Sequence, residues 1–538
     1  MNLRKLLFRS RKSHRETTNT AGNRPQQAMC LHTDLTENLQ MIRQQVGNSS
    51  DVIIREMSVG QAVLRVAAIY TEGLANETAV GDFIKNCLMI DGHEALLEGI
   101  NPPSLLFDFI KRKAVTLTEI RTFRNWNELM LAIISGETVI LIDGCEEAIS
   151  GCTRGGEMRA ISEPSTQVVI RGPKDSFTES LTTNLSLIRR RIQSPNLWIE
   201  TMRIGRVTQT NTAIVYINGI ITDELVQEVK QRLSKIDIDG ILDTGNVEEY
   251  IQDQTFTPFP TLFNTERPDS VAGNLLEGRI AILVDGSPFV LIAPTVFAQF
   301  FQSPEDYFHR YDIASFIRLL RYASFFISLT APSIYIAAIT FHQEMIPTTL
   351  LINLAASREG VPLPALIEAI SMEISFEVLR EAGIRMPRAV GQAVSIVGAL
   401  VLGQAAVQAG IVSPAMVIIV AITGIASFST PSYDVAISAR LIRFALMILA
   451  ASFGFYGITL GLIILVAHMN GIRSFGIPYL APFSPFILKD QKDAIFRFPL
   501  WSQRSRPRLV SQKNRSKQQG NLQPSPYKDD NESQEDST

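Results

Sequence analysis

Residues 322–341 read YASFFISLTAPSIYIAAITF, twenty positions without a charged side chain. At 1.5 Å per residue a helix of that length reaches across a hydrocarbon core, so the run predicts a membrane span. Pro332 in its middle predicts a kink, with freed backbone groups that need partners in a bundle. Just upstream, from Glu305-Asp306-Tyr307 to Arg321, the apolar residues Phe316, Ile317, Leu319 and Leu320 alternate with Arg318 and Arg321, the chemistry of an interfacial helix.

Working outward toward the C-terminus, Ile346 to Ser357 is uncharged but too short to span and reads as a re-entrant or half helix. Ala389 to Tyr433 carries no charge, and Ser413-Pro414 divides it into helices over Ala389 to Val412 and Ala415 to Phe428. Phe444 to His468 reads as one long span, with Gly457 and Gly461 at the small-xxx-small spacing that lets helices approach. Of 103 charged side chains, 13 fall in the 151 residues 322–472, and the other 387 residues carry 90, an aqueous density. The whole-chain 46% hydrophobic and 19% charged residues therefore average a soluble protein with a membrane protein.

Arginines 310, 318 and 321 precede the first span, and Lys489, Lys492, Arg497, Arg504, Arg506, Arg508, Lys513, Arg515 and Lys517 follow the last. Basic flanks stay inside, so both ends are expected to be cytoplasmic, which requires an even number of spans: four plus the re-entrant piece. The cluster Arg358, Arg380, Arg385 and Arg388 opposes that count and would favour five.

From about Asp34 to Phe308 helical stretches alternate with short β-branched runs, the pattern of a soluble α/β region. Strands are expected over Val139 to Ile142, Ala213 to Ile217, Gly240 to Leu242 and Ile280 to Val284. The last should form a hairpin with Phe289 to Ile292 through Asp285-Gly286. Helices are expected over Leu181 to Ile192 and Asp223 to Leu233. The chain thus divides into a basic disordered tail (1–33), two cytoplasmic α/β subdomains (34–194 and 195–308, parted at Ser194-Pro195), an all-α polytopic membrane domain (309–475) and a cytoplasmic tail (476–538), disordered beyond about 503. The basic N-terminal tail reads either as solvated chain or as attraction to an anionic leaflet.

A net charge of -3 argues against nucleic acid as a ligand. Cys30, Cys87, Cys145 and Cys152 form no CxxC pair and have no zinc spacing, so they read as core thiols, with no metal and no cofactor expected. Neither a Walker loop nor GxSxG, HExxH or GxGxxG after a strand is present, so the chain is not expected to be an enzyme.

Three constellations stand out. Arg189, Arg190 and Arg191 project from different faces of one helix, so at least one should be buried or paired, in salt bridges between subdomains or between subunits. Glu373, Glu377 and Glu381 recur every four residues along one face of a helix from Leu366 to Glu381. They either pair with Arg380, Arg385 and Arg388 or form an ion-attracting or gating ring at the pore mouth of an oligomer. Gln404 and Gln408 share a helix face with Val397, Leu400 and Val401 and serve as helix-to-helix glue or as a pore lining.

Strings along the chain match a known family: Glu163-Pro164 through Val168-Val169-Ile170-Arg171-Gly172-Pro173, Asn184 to Ile192, Glu266-Arg267-Pro268-Asp269, Glu277-Gly278-Arg279, Arg380-Glu381-Ala382-Gly383-Ile384-Arg385 and Gly476-Ile477-Pro478-Tyr479-Leu480-Ala481-Pro482. In these, from about Asp34 to Arg508, the chain resembles the A subunit of bacterial spore germinant receptors, the GerA family; Gln167 departs from the acidic residue common there. The resemblance implies a receptor subunit in the spore inner membrane, working with a permease-like B subunit and a lipoprotein C subunit. It also implies self-assembly into a nutrient-gated ion channel; the uncharged, small-residue-rich span Ala389 to Val412 is then the expected lining, through Val397, Leu400, Gln404 and Gln408. Two other roles stay open under it: a non-conducting scaffold or signalling subunit, and the related accessory channel associated with dipicolinic acid release.

Overall fold

The computed structural model describes residues 30–59, 64–85, 87, 107, 120–155, 163–164, 166–386, 403–518 and 522–524. Contacts divide the chain into two units: the described residues up to 42 with 54–70 and 77–153, and residues 43–53, 71–76 and 154 onward.

The first unit holds α1 (Leu35–Gln45, whose last turn belongs to the second unit), α2 (Glu77–Ile84), α3 (Trp126–Ile134) and five strands: β1 (Val52–Val59), β2 (Leu64–Thr71), β3 (Ile120–Phe123), β4 (Thr138–Ile142) and β5 (Ala148–Gly151). Their order across the sheet is β1-β2-β4-β5-β3. Every residue of β4 is buried, as a continuous β-branched run with both faces covered requires. Cys87 is buried as expected, whereas Cys30 and Cys152 are exposed.

The second unit opens with α4 (Leu181–Arg191), followed by β6 (Leu197–Ile204), β7 (Thr210–Ile217), α5 (Asp223–Ser234), α6 (Thr244–Ile251), β8 (Phe263–Thr265), α7 (Pro268–Leu276), β9 (Ile280–Val284) and β10 (Val290–Ala293). The strand order, β6-β7-β9-β10-β8, repeats that of the first sheet, so the two sheets share one topology. The hairpin expected at Asp285-Gly286 is present as the antiparallel pair β9–β10, and Gly286 takes φ +89°. Ile241 packs into the core as a loop residue, so the strand expected over Gly240 to Leu242 is absent.

Alternation along these strands serves two cores. Ile214, Ile280, Ile282 and Val284 face α5 and α6. Ala213, Val215, Ala281 and Leu283 face α4 and α7, and the same cluster runs on through Phe300 and Phe301 into Phe325, Leu329, Val435 and Leu446. Two expected boundaries therefore move. The division falls at Thr153/Arg154, not at Ser194-Pro195, because α4 packs in the second core. The helical region from residue 309 is no separate domain, because it shares that core with the sheet.

Helices α8 (Tyr311–Thr340) and α13 (Tyr433–Gly471) are each long and apolar enough to cross a membrane; between them lie α9 (Thr348–Arg358), α10 (Ala365–Arg385), α11 (Gly403–Gln408) and α12 (Pro414–Phe428). The lead-in 311–321 continues into 322–340 as one helix, and Pro332 lies inside it. The long span expected over Phe444 to His468 instead contains a reversal. Ser438 Oγ bonds the carbonyl of Pro258, and His468 Nε2 lies 3.0 Å from Oγ1 of the adjacent Thr257. A straight helix would separate positions 438 and 468 by about 45 Å. The chain turns back at Gly454, whose φ +61°, ψ -141° is non-helical, giving arms 433–453 and 455–471. Gly461 approaches Leu446 and Leu449 of the first arm, so the small-residue spacing does permit close approach, with the helix's own first half as partner.

The C-terminal segment is ordered past the expected limit of about 503. Arg506 is buried and donates to the carbonyls of Leu276 at 2.7 Å and Ser516 at 2.6 Å, and buried Ser511 donates to the carbonyl of Ile220. Arginine satisfying orphan carbonyls does here what apolar side chains would do in a core.

Candidate functional site: an ion-pair ladder between helices

Helix α10 runs antiparallel to the first arm of α13, and its acidic stripe meets two arginines three residues apart on that arm. Arg443 Nη1 donates to Glu373 Oε2 at 2.6 Å, with both side chains at most 4% exposed. One turn along, Arg440 Nη1 bonds Glu377, which also takes Arg380 Nη1 at 3.4 Å. Arg380 sits between the rings of Phe376 and Phe428, 4.9 and 5.1 Å from their centroids, and donates to Ser427 Oγ. The last member, Glu381, is exposed and pairs only locally, with Arg385 at 2.6 Å.

The far end carries a fourth carboxylate that the four-residue spacing does not pick out. Glu368 is fully buried and accepts from the backbone N–H of Ser413 at 2.6 Å and from its hydroxyl at 2.5 Å. Ser413 is the N-cap of α12, where the helix dipole favours a carboxylate, and Arg358 Nη2 lies 3.4 Å from Glu368 Oε2. Glu373 Oε1 and Arg443 Nε and Nη2 are buried without a hydrogen-bond partner among the described residues. The inner rung therefore pairs one carboxylate with one guanidinium and keeps unused hydrogen-bonding capacity.

Of the pairings expected from sequence, Glu381 with Arg385 is present. Glu377 with Arg380 is present as well, at 3.4 Å, but the closest partners of Glu373 and Glu377 come from α13, 70 and 63 residues away. Arg440 and Arg443 were legible only as two isolated charges in an apolar run. Gln404 and Gln408 are exposed on α11, while Val397, Leu400 and Arg388 lie outside the described residues. The arginine triplet splits three ways. Arg189 is buried and grips Asp51 through Nε at 2.7 Å and Nη2 at 3.0 Å; Arg191 holds Asp175 at 2.5 Å; Arg190 is exposed. Replacing Arg189 by methionine is expected to cost about 3 kcal/mol, because Asp51 and Ser49 lose their buried donor, whereas Arg190→Ala should stay within about 0.5 kcal/mol. Urea unfolding of the two variants checks the contrast.

A second charged cluster ties the start of α8 to the C-terminal segment. Arg318, fully buried, donates through Nε to Asp306 at 3.1 Å and through Nη1 to Asp493 at 2.9 Å; Arg321 Nη1 takes both oxygens of Asp306. Tyr307 donates to Asp493 at 2.8 Å, and burial together with that carboxylate pushes its phenol well above the usual range, so it remains a donor. The interfacial reading of residues 311–321 thus changes in one respect. Arg318 and Arg321 point inward, and Ile313, Phe316, Leu319 and Leu320 are exposed.

The model of the Bacillus/Clostridium GerA spore germination protein family matches residues 40–509. The chain is 53% identical over 497 residues to spore germination protein KA of Bacillus subtilis (strain 168), covering 92% of this chain and 90% of that protein. It is 42% identical to the uncharacterized membrane protein YfkQ of the same organism, over 90% and 93% of the two chains. It is also similar, at 43% identity and a TM-score of 0.40, to the crystal structure of the N-terminal domain of the A subunit of the Bacillus megaterium spore germinant receptor GerK3. That likeness covers 50% of this chain and 98% of that one.

Proposed function

Because the chain belongs to the GerA spore germination protein family, we propose that it is the A subunit of a nutrient-responsive germinant receptor, held in the spore inner membrane by its helical half. The observation that carries the membrane part is an inverted burial pattern. Arg318, Glu368, Glu373 and Arg443 are buried, while Phe326, Ile334, Ile418, Ile425, Ile448 and Ile463 are exposed. In water both groups would be on the wrong side; in lipid, paired charges turned inward and isoleucine turned outward is the stable arrangement.

On this reading the subunit works beside a permease-like B subunit and a lipoprotein C subunit, and copies of it assemble around a germinant-gated ion conduit. The ladder is the gating element: Glu373 and Glu377 are held by Arg443 and Arg440, and Glu381 is the most exposed acid of the stripe. Full pairing of the two inner acids equally suits a non-conducting signalling subunit, so the two roles need a direct test. Spores lacking the chain should lose germination to one class of single nutrient while retaining others, and the purified complex in vesicles should pass cations when that nutrient is added. Normal germination to every nutrient would overturn the receptor role, and vesicles that stay tight under the active nutrient would leave the signalling role standing.

A further inference from the structure

Residues 485–500 follow the return of α13 to the sheet side and expose an unusual set of side chains. Phe486 and Leu488 are 71% and 74% exposed, and Phe496, Phe498 and Leu500 are each more than two-fifths exposed, with Lys489 and Lys492 exposed among them. Five large apolar groups spaced by lysines would be a liability in water. The segment is nonetheless held firmly from beneath. Arg497 is buried, its Nη1 donates to the carbonyl of His309, and its backbone N–H and C=O both bond Ser315 Oγ, at 3.1 and 3.0 Å. Asp493 is clamped by Arg318. The exposed aromatics are therefore presented by a rigid support.

That support is the first part of α8. Phe496 and Phe498 flank Arg497, whose backbone bonds Ser315 of that helix; the same helix exposes Ile313, Phe316 and Leu320, an apolar stripe that continues into Ile327 and Ile334. A 30-residue helix exceeds the hydrocarbon thickness by about ten residues, which places its first turns at headgroup depth. Aromatic rings at that depth with lysine ammonium groups around them match the chemistry of an anionic leaflet.

From this continuity and charge pattern, and resting on the membrane placement proposed above, we infer that residues 485–500 form an interfacial cuff. Phe486, Leu488, Phe496, Phe498 and Leu500 enter the headgroup region, and Lys489 and Lys492 select anionic lipid. The cuff anchors Asp493, and through it Arg318, so the start of α8 is fixed at a set depth.

The test uses the full chain in vesicles containing either phosphatidylglycerol or phosphatidylcholine brominated on the acyl chain, with Phe498→Trp as probe and the parent's tryptophans subtracted. The expected result is emission quenched at least about twofold more by the phosphatidylglycerol, a preference that Lys489→Gln with Lys492→Gln removes. Equal quenching by both lipids overturns the anionic selection, and no quenching overturns the cuff. An alkaline wash separates this inference from its premise: a chain that stays in the pellet while Trp emission is unquenched leaves the membrane placement intact, and a chain that is extracted refutes both.

Discussion

Arg443→Leu is expected to destabilise the helical region by about 3–5 kcal/mol, the cost of leaving a buried carboxylate without its cation. Among the described residues Glu373 has no other hydrogen-bond donor, and its second oxygen is unpartnered, so no second donor is in place to take over. Glu373→Leu should cost a similar amount for the converse reason. Combining the two substitutions should recover most of the loss, since a leucine pair carries no desolvation penalty. Thermal unfolding in detergent and the amount of protein retained in membranes measure the cycle; if the double variant is as unstable as the sum of the singles, the ladder is not a pair. Replacing Glu381 by glutamine should change neither quantity, because it and Arg385 are both more than half exposed. Arg440→Gln discriminates function as well as stability. It leaves Glu377, whose side chain is 43% exposed, with the longer Arg380 contact alone, so a conduit gated by the ladder should leak cations without nutrient, and a signalling subunit should not.

Much of the architecture could be read directly, and most of the exceptions depend on partners distant in sequence. Strands such as Val139 to Ile142 and the Asp285-Gly286 hairpin are local patterns, and local patterns are what residue periodicity reports. The repeated strand order of the two sheets depends on which strands meet, and no short-range signal carries that. The acidic stripe was legible as a stripe, but its partners lie 63 and 70 residues away, so i,i+4 arithmetic could find only the exposed rung, Glu381 with Arg385. Glu368 stands five residues before Glu373, off the four-residue spacing, and its anchor is the cap of a different helix. The tail beyond 503 has the composition of disordered chain, yet Arg506 alone answers carbonyls from three residues. Composition measures the supply of apolar area, and that segment is held by hydrogen bonds.

The reversal within α13 was hidden for a different reason. Glycine is common in apolar spans, so Gly454, Gly457 and Gly461 in an uncharged run suggest helix contact and not a turn. Gly454 is nevertheless the position at which the whole path depends on one residue type. Its φ of +61° with ψ of -141° is a conformation that side chains with a Cβ rarely hold, at about 1–3 kcal/mol. A Cβ there would also lie 2.6 Å from the His342 ring and 3.0 Å from Phe341 Cβ, both just past the end of α8. Gly454→Ala is therefore expected to reduce retained protein and lower the unfolding temperature sharply, while Gly471→Ala, with nothing within 4 Å, should be silent. Stability alone would not prove a turn, so the second measurement is sidedness. Cysteines replacing exposed Tyr433 and Asn470 should label from the same face of the membrane, although 37 residues separate them. A straight helix would place them about 55 Å apart and on opposite faces. Same-side labelling would also make the last apolar run two passes, which keeps the basic C-terminal segment on the side where the sheet and the start of α8 lie, without appeal to an extra span elsewhere.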